Sequence, residues 1–168
     1  ALAGLIDPTR AMPTPPPTAG AVHKETIYLT VVDKDLMSVS LIYSIFHDFG
    51  SGIATPKFGL LFHNRGAGFS LEPGHPNEIG GGKRPMHTII PAMLREGGQV
   101  TMPFGVMGGP YQAAGHGRFI TNIVDYGLHP QAAIDAPRCF AVDGVLRVER
   151  GYSDSVRNRL SELGHEVV

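Results

Sequence analysis

Strand-like alternation begins abruptly at residue 26. TIYLTVV and SVSLIYSIF are rich in β-branched and aromatic side chains, with DKDLM between them as a turn, so a hairpin is expected. Beyond it, GSGIATPKFGLLFHNRGAGFSLEPGHPNEIGGGKRP is punctuated by glycine and proline every few residues and reads mostly as loop. Only FGLLF at 58–62 and Ile89 to Leu94 look like short strands there. MLREGGQV, with Gly97 and Gly98 at its turn, signals a second hairpin leading into TMPFGVMGG. Helical spacing follows: Phe119, Ile120, Ile123 and Val124 form a stripe that Gly127 would cap, and Pro130 opens a short helix, QAAIDA, ending before Pro137. CFAVDGVLRVE reads as a turn flanked by strands, and SDSVRNRLSELG as a helix with Val156, Leu160 and Leu163 on one face and Gly164 as its stop. Strands first and helices afterwards imply an α+β layered domain.

Ahead of the hairpin the pattern changes. ALAGLIDPTRA reads as a short helix or a helix end. In MPTPPPTAGAVHKE, Pro13, Pro15, Pro16 and Pro17 remove backbone donors and hold the chain extended. Residues 1–25 are therefore expected to be a linker-like segment, with folding from 26 to 168. The chain begins at Ala1 and ends in HEVV, and both ends look cut from something longer.

Composition narrows the partners more than the activity. Fourteen basic residues stand against 15 acidic ones, so nothing favours nucleic acid or an anionic membrane surface. No apolar run reaches the length of a membrane span. The lone Cys139 excludes an internal disulfide framework and leaves the compartment open between cytoplasmic and periplasmic or secreted.

Several residue groups carry chemistry. Thr26 is either an ordinary first strand residue or, if the bond after Glu25 is cut, a nucleophile whose new α-amine serves as its base. Gly108 and Gly109 sit between a strand and a helix. Their N–H groups would suit a developing anion or a phosphate, and equally a tight turn; neither nucleotide-binding glycine motif is present. His63, His75, His87, His116, His129 and His165 lie far apart in sequence, without H-E-x-x-H or a second cysteine, so a metal is not expected. His87 and Thr88, after KRP, place a ring N–H and a hydroxyl where a site could use them. Arg65 in HNRGAGFS is either a carboxylate clamp or a solvated loop arginine.

In order, TIYLTVVDKD, SVSLIYSIFHDFGSGI, GLLFHNRGAGFSLEPGHPNEIGGGKRPMHTIIPAM and FGVMGGPYQAAGHGRFITNIVDYGLHPQAAIDAPR resemble the small-subunit region of the gamma-glutamyltranspeptidase family. The resemblance runs from about residue 24 to the end, and the first 25 residues are similar to the stretch before that family's maturation cut. It implies an N-terminal nucleophile (Ntn) hydrolase with an αββα sandwich, of which this chain is the C-terminal portion. The precursor would cut itself between Glu25 and Thr26. Thr26 would then take an acyl group from a γ-glutamyl donor, as in glutathione metabolism, and pass it to water or an amine. Gly108 and Gly109 match the oxyanion glycines, and the family's serine pair falls on His87 and Thr88.

Departures from the classical pattern bear on substrate. Ile27 stands where a second threonine is usual and Phe46 where an asparagine is usual. Ala67 and Gly68 replace the acidic pair that holds the donor's α-amino group, and neither can offset the desolvation of an ammonium. The RGAGFSLEPGHPN version is similar to a divergent branch of transpeptidases and acylases. There Arg65, with His87, would read a carboxylate on the acyl group, γ-glutamyl or glutaryl-like. No cofactor is required. The expected partners are the large-subunit portion of the same precursor and a small acyl amide or peptide, and a homo-oligomer is compatible. The competing readings are an inactive, vestigial binding homologue, favoured by Ile27, Phe46, Ala67 and Gly68, and a metallohydrolase, which would need three ligands close together.

Overall fold

The structure, a computed structural model, describes residues 7–11 and 25–168. The proline-rich segment lies outside the described residues, as does most of the expected N-terminal helix; residues 7–10 form a turn. The chain divides into two compact units, Ala21–Ile120 and a second built from Ala1–Gly20 with Thr121–Val168.

In the first unit the expected hairpin forms from β1 (Glu25–Val32) and β2 (Ser38–Phe46), antiparallel, with Val32 opposite Ser38 and Thr26 opposite Ser44. The Asp33 carboxylate closes the turn by accepting from the N–H groups of Asp35 and Met37. Period-2 alternation gives the ribbon two unlike faces. One carries Ile27, Leu29 and Val31 against Tyr43, Leu41 and Val39, all exposed. The other carries Tyr28 and the buried Ile42.

The second hairpin is β3 (Ala92–Glu96) and β4 (Gln99–Phe104), turning at Gly97 and Gly98. It starts three residues later than Ile89. FGLLF is not a strand: only Leu61 makes an isolated bridge, to Ala54. Gly59, at φ +62°, turns the chain within this stretch, so the Leu60 carbonyl and the Phe62 N–H pair back on Thr55 and Ile53 without a continuous ladder. β4 packs on the first hairpin. The Ser40 hydroxyl donates to the Phe104 carbonyl at 3.2 Å, the Tyr28 and Ser40 hydroxyls are 3.1 Å apart, and the Tyr28 ring lies where a Cβ on Gly105 would be. Helix α1 (Tyr111–Val124) follows. Its Phe119 packs on Phe104 at 5.3 Å, but Val124 is exposed and does not join the expected stripe.

In the second unit, α2 (Pro130–Asp135) starts at the His129 cap and places Ala133 in the interior; the Asn122 amide holds the Ala133 carbonyl at 3.2 Å. β5 (Cys139–Val142) and β6 (Val145–Val148) form the expected hairpin, and α3 (Asp154–Glu162) is capped by Ser153. Leu160 and Leu163 are half-buried, whereas Val156 is exposed. HEVV adds an unforeseen parallel strand, β7 (Glu166–Val167), beside β6. Arg157 reaches across to the carbonyls of Val148, Glu149 and Tyr152. Among the described residues no helix is long and apolar enough to cross a membrane.

Candidate active site

The site grows from an irregularity in the first hairpin. Between Glu25 and Thr26 the register slips, so that Thr26 faces Ser44 while Glu25 faces Phe46, and Ile45 is the extra residue of a β-bulge. The Thr26 hydroxyl donates to the Ser44 hydroxyl at 3.1 Å, and the Ser44 oxygen also accepts from the Phe46 N–H at 3.2 Å. Phe46 takes φ +80°, a region that costs a bulky residue about 1–3 kcal/mol.

The bulge is also where the Arg65 loop docks. The Asn64 N–H donates to the Ile45 carbonyl at 3.2 Å, its side-chain oxygen accepts from the His47 N–H at 3.0 Å, and its side-chain nitrogen meets His47 Nδ1 at 2.9 Å. Arg65, next in sequence, begins a single 3-10 turn (Arg65–Gly68) and is 4% exposed. It is therefore not a solvated loop arginine. One guanidinium nitrogen, Nη1, donates to Thr88 Oγ1 at 3.0 Å, and the guanidinium lies 5.3 Å from the centre of the Phe46 ring. The other, Nη2, is buried with no hydrogen-bond partner, and burial works against the charge. Asn77 ties the two ends of this loop together, donating to the Gly68 carbonyl and accepting from the Met86 N–H at 2.9 Å.

Thr88 is buried and engaged by Arg65, while His87 is exposed. His87 Nδ1 accepts from the Ile89 N–H, so the neutral ring carries its proton on Nε2. Desolvation first, then the Arg65 guanidinium and His63, hold His87 below its ordinary value and so favour that neutral form. Gly108 and Gly109 adopt φ of +117° and +57° between β4 and α1. The Gly109 carbonyl accepts from Gln112 N–H and the Gly108 carbonyl from Tyr111 N–H, yet among the described residues neither glycine N–H has an intramolecular partner. No hydrogen bond among those residues joins either glycine to Thr26. Nor do three or more His, Cys, Asp or Glu side chains gather there as metal ligands would.

Thr26, Arg65 and Thr88 are thus linked through Ser44, the bulge and Asn64. Ser44, Asn64 and Asn77 are additions to the set expected from sequence. For Ser44 the signal was available, since counting back from the turn places it opposite Thr26.

The Gamma-glutamyltranspeptidase family model matches residues 1–168. The chain belongs to the gamma-glutamyltranspeptidase family. Its fold is that of the family's N-terminal nucleophile hydrolases. It is 37% identical over 159 residues to the glutathione hydrolase-like YwrD proenzyme of Bacillus subtilis, covering 90% of this chain and 30% of that protein. It is 36% identical over 172 residues to the oxamate amidohydrolase proenzyme of Klebsiella pneumoniae, covering 99% of this chain and 32% of that one. The solved cephalosporin acylase from Bacillus halodurans matches with 41% identity and a TM-score of 0.73, over 84% of this chain and 26% of that chain. This chain therefore spans about a third of the length of these curated relatives.

Proposed function

We propose that this chain is the nucleophile-bearing portion of an autoprocessing amidohydrolase or acyltransferase whose acyl donor carries a carboxylate. Residues 1–25 are then the pre-cleavage segment and 26–168 the small-subunit catalytic portion. The observation that carries the reading is Arg65: a buried guanidinium with Nη2 unpartnered, anchored beside the bulge that holds Thr26. A buried cation without an anion is costly, and a substrate carboxylate would supply the missing partner.

Maturation starts with attack of Thr26 Oγ on the Glu25 carbonyl. The C–N bond breaks in an N-to-O shift, and water hydrolyses the resulting ester, leaving the Glu25 carboxylate and the Thr26 α-amine. Ser44 positions the hydroxyl, to which it is already hydrogen-bonded. In turnover the amine accepts the hydroxyl proton as Oγ attacks the donor amide, and the Gly108 and Gly109 N–H groups receive the oxyanion. Loss of one such donor typically costs about 3–4 kcal/mol in the transition state. The proton then passes to the leaving nitrogen, and water or an amine releases the acyl group from Thr26.

Thr88 acts here through Arg65, and neutral His87 offers Nε2–H near the same cation. With Ala67 and Gly68 at the amino-group positions, donors lacking an α-ammonium are favoured over glutathione. Oxamate, named for one relative, is of this kind. Neither a cofactor nor a metal enters any step. The large-subunit portion of the precursor completes the pocket.

Intact-mass analysis of the full-length precursor at neutral pH tests the reading. Cleavage between Glu25 and Thr26 in the parent but not in Thr26→Ala is expected. A folded parent that stays intact would instead favour a vestigial binding role. In the processed protein, Arg65→Ala should raise KM for glutaryl amides at least tenfold, and an unchanged KM would remove Arg65 from the site.

A further inference from the structure

Resting on the reading of Arg65 as a carboxylate site, we infer that Phe46 is a cap over that site. It is held closed by its place opposite Glu25 and released when the chain is cut before Thr26. Phenylalanine is poorly suited to φ +80°, where glycine and asparagine are the tolerant residues. Its conformation must therefore be imposed from outside, and the contacts that impose it are specific.

On the ladder side Phe46 is the last rung of the ribbon, opposite Glu25 across the bulge, with its N–H on the Ser44 hydroxyl. On the other side its ring stacks on His47, centroids 4.4 Å apart and planes 22° apart, and His47 is itself fixed at two points by Asn64. The same ring lies 5.3 Å from the Arg65 guanidinium carbon. The cation thus has an aromatic face in place of an anion, and Nη2 is enclosed without a hydrogen-bond partner. In this arrangement Nη2 is closed off from solvent.

Cleavage after Glu25 changes one of these contacts directly. Glu25 becomes a chain end without a covalent hold on β1, and the rung opposite Phe46 is the first to fray. Phe46 can then relax toward extended backbone. A change of φ from positive to negative redirects the side chain and uncovers Arg65. The anion site is therefore available to the mature protein and withheld from the precursor.

The test is calorimetric titration of full-length protein with glutarate. Four forms are compared: processed parent, processed Arg65→Ala, uncut Thr26→Ala, and uncut Thr26→Ala with Phe46→Gly. Glycine at position 46 removes the ring and suits the positive φ, so the double variant should fold at least as well as the single one. Glutarate binding is expected in the parent and at least tenfold weaker in Thr26→Ala. In the double variant it should return to within about threefold of the parent, a difference of about 0.7 kcal/mol or less. Equal affinity in parent and Thr26→Ala, or a double variant as weak as the single, would overturn the cap. In that case loss of binding in processed Arg65→Ala would leave the carboxylate site standing. If the parent does not bind glutarate, or Arg65→Ala binds it equally well, the carboxylate reading fails and the cap falls with it.

Discussion

In the proposed mechanism Ser44 holds the Thr26 hydroxyl, so its removal should slow chemistry more than binding. A single hydrogen bond is worth a net 0.5–1.5 kcal/mol or so. Ser44→Ala in the processed full-length protein is accordingly expected to lower kcat roughly tenfold with KM unchanged. Ser44→Thr should restore the rate, and a rise in KM alone would show that Ser44 binds substrate instead. At this scale the sequence was legible where position in the chain decides local structure. Thr26 follows Glu25 at the start of β1, and the two glycines lie where β4 gives way to α1. Arg65 was ambiguous because burial of a loop arginine depends on what docks the loop. That docking is done by the Asn64 amide on a bulge, and neither an amide contact nor a bulge leaves a periodic signature.

Helix α1 makes a separate prediction through His116. Its Nε2 accepts from the Val106 N–H at 3.2 Å, and the ring packs 5.0 Å from Phe104. Burial lowers the His116 pKa below the ordinary 6.5, so the fold favours the neutral ring. The unfolded chain then binds more protons in the window below 6.5, and stability falls as pH falls. This contribution is complete above the ordinary value and is lost progressively below it, levelling off once the folded-state ring also protonates. Thermal midpoints of the full-length protein measured from pH 7.5 to 5 should therefore decline less in His116→Gln, which keeps an acceptor but does not titrate. Equal slopes would show that His116 contributes nothing to the decline. Among the described residues, both long hairpins and the helices α1, α2 and α3 were readable as elements, because alternation, glycine turns and proline starts are local properties. β7 was not, because a two-residue parallel strand is defined only by β6 beside it.

For the molecule as a whole, the described residues contain few well-buried apolar side chains, Ile42, Phe104, Ala133 and Leu146, while an entire face of the β1–β2 ribbon is exposed. Tyr43 on that face is 65% exposed and Ile27 61%, values that suit a surface made to be covered. In relatives about three times as long, the rest of the polypeptide is available to cover it. A lysine at Leu41, in the middle of the face, should then act in opposite directions in two settings. In this chain alone it removes an apolar contact surface, so sedimentation should show less self-association than the parent. In the full-length protein it buries an ammonium without a partner, and stability should fall by about 2–5 kcal/mol, read from urea unfolding. Reduced association with unchanged full-length stability would mean that the face is exposed in the whole protein and pairs with a second copy. Loss of stability in the full-length protein would assign the face to an interior that this chain builds only in part.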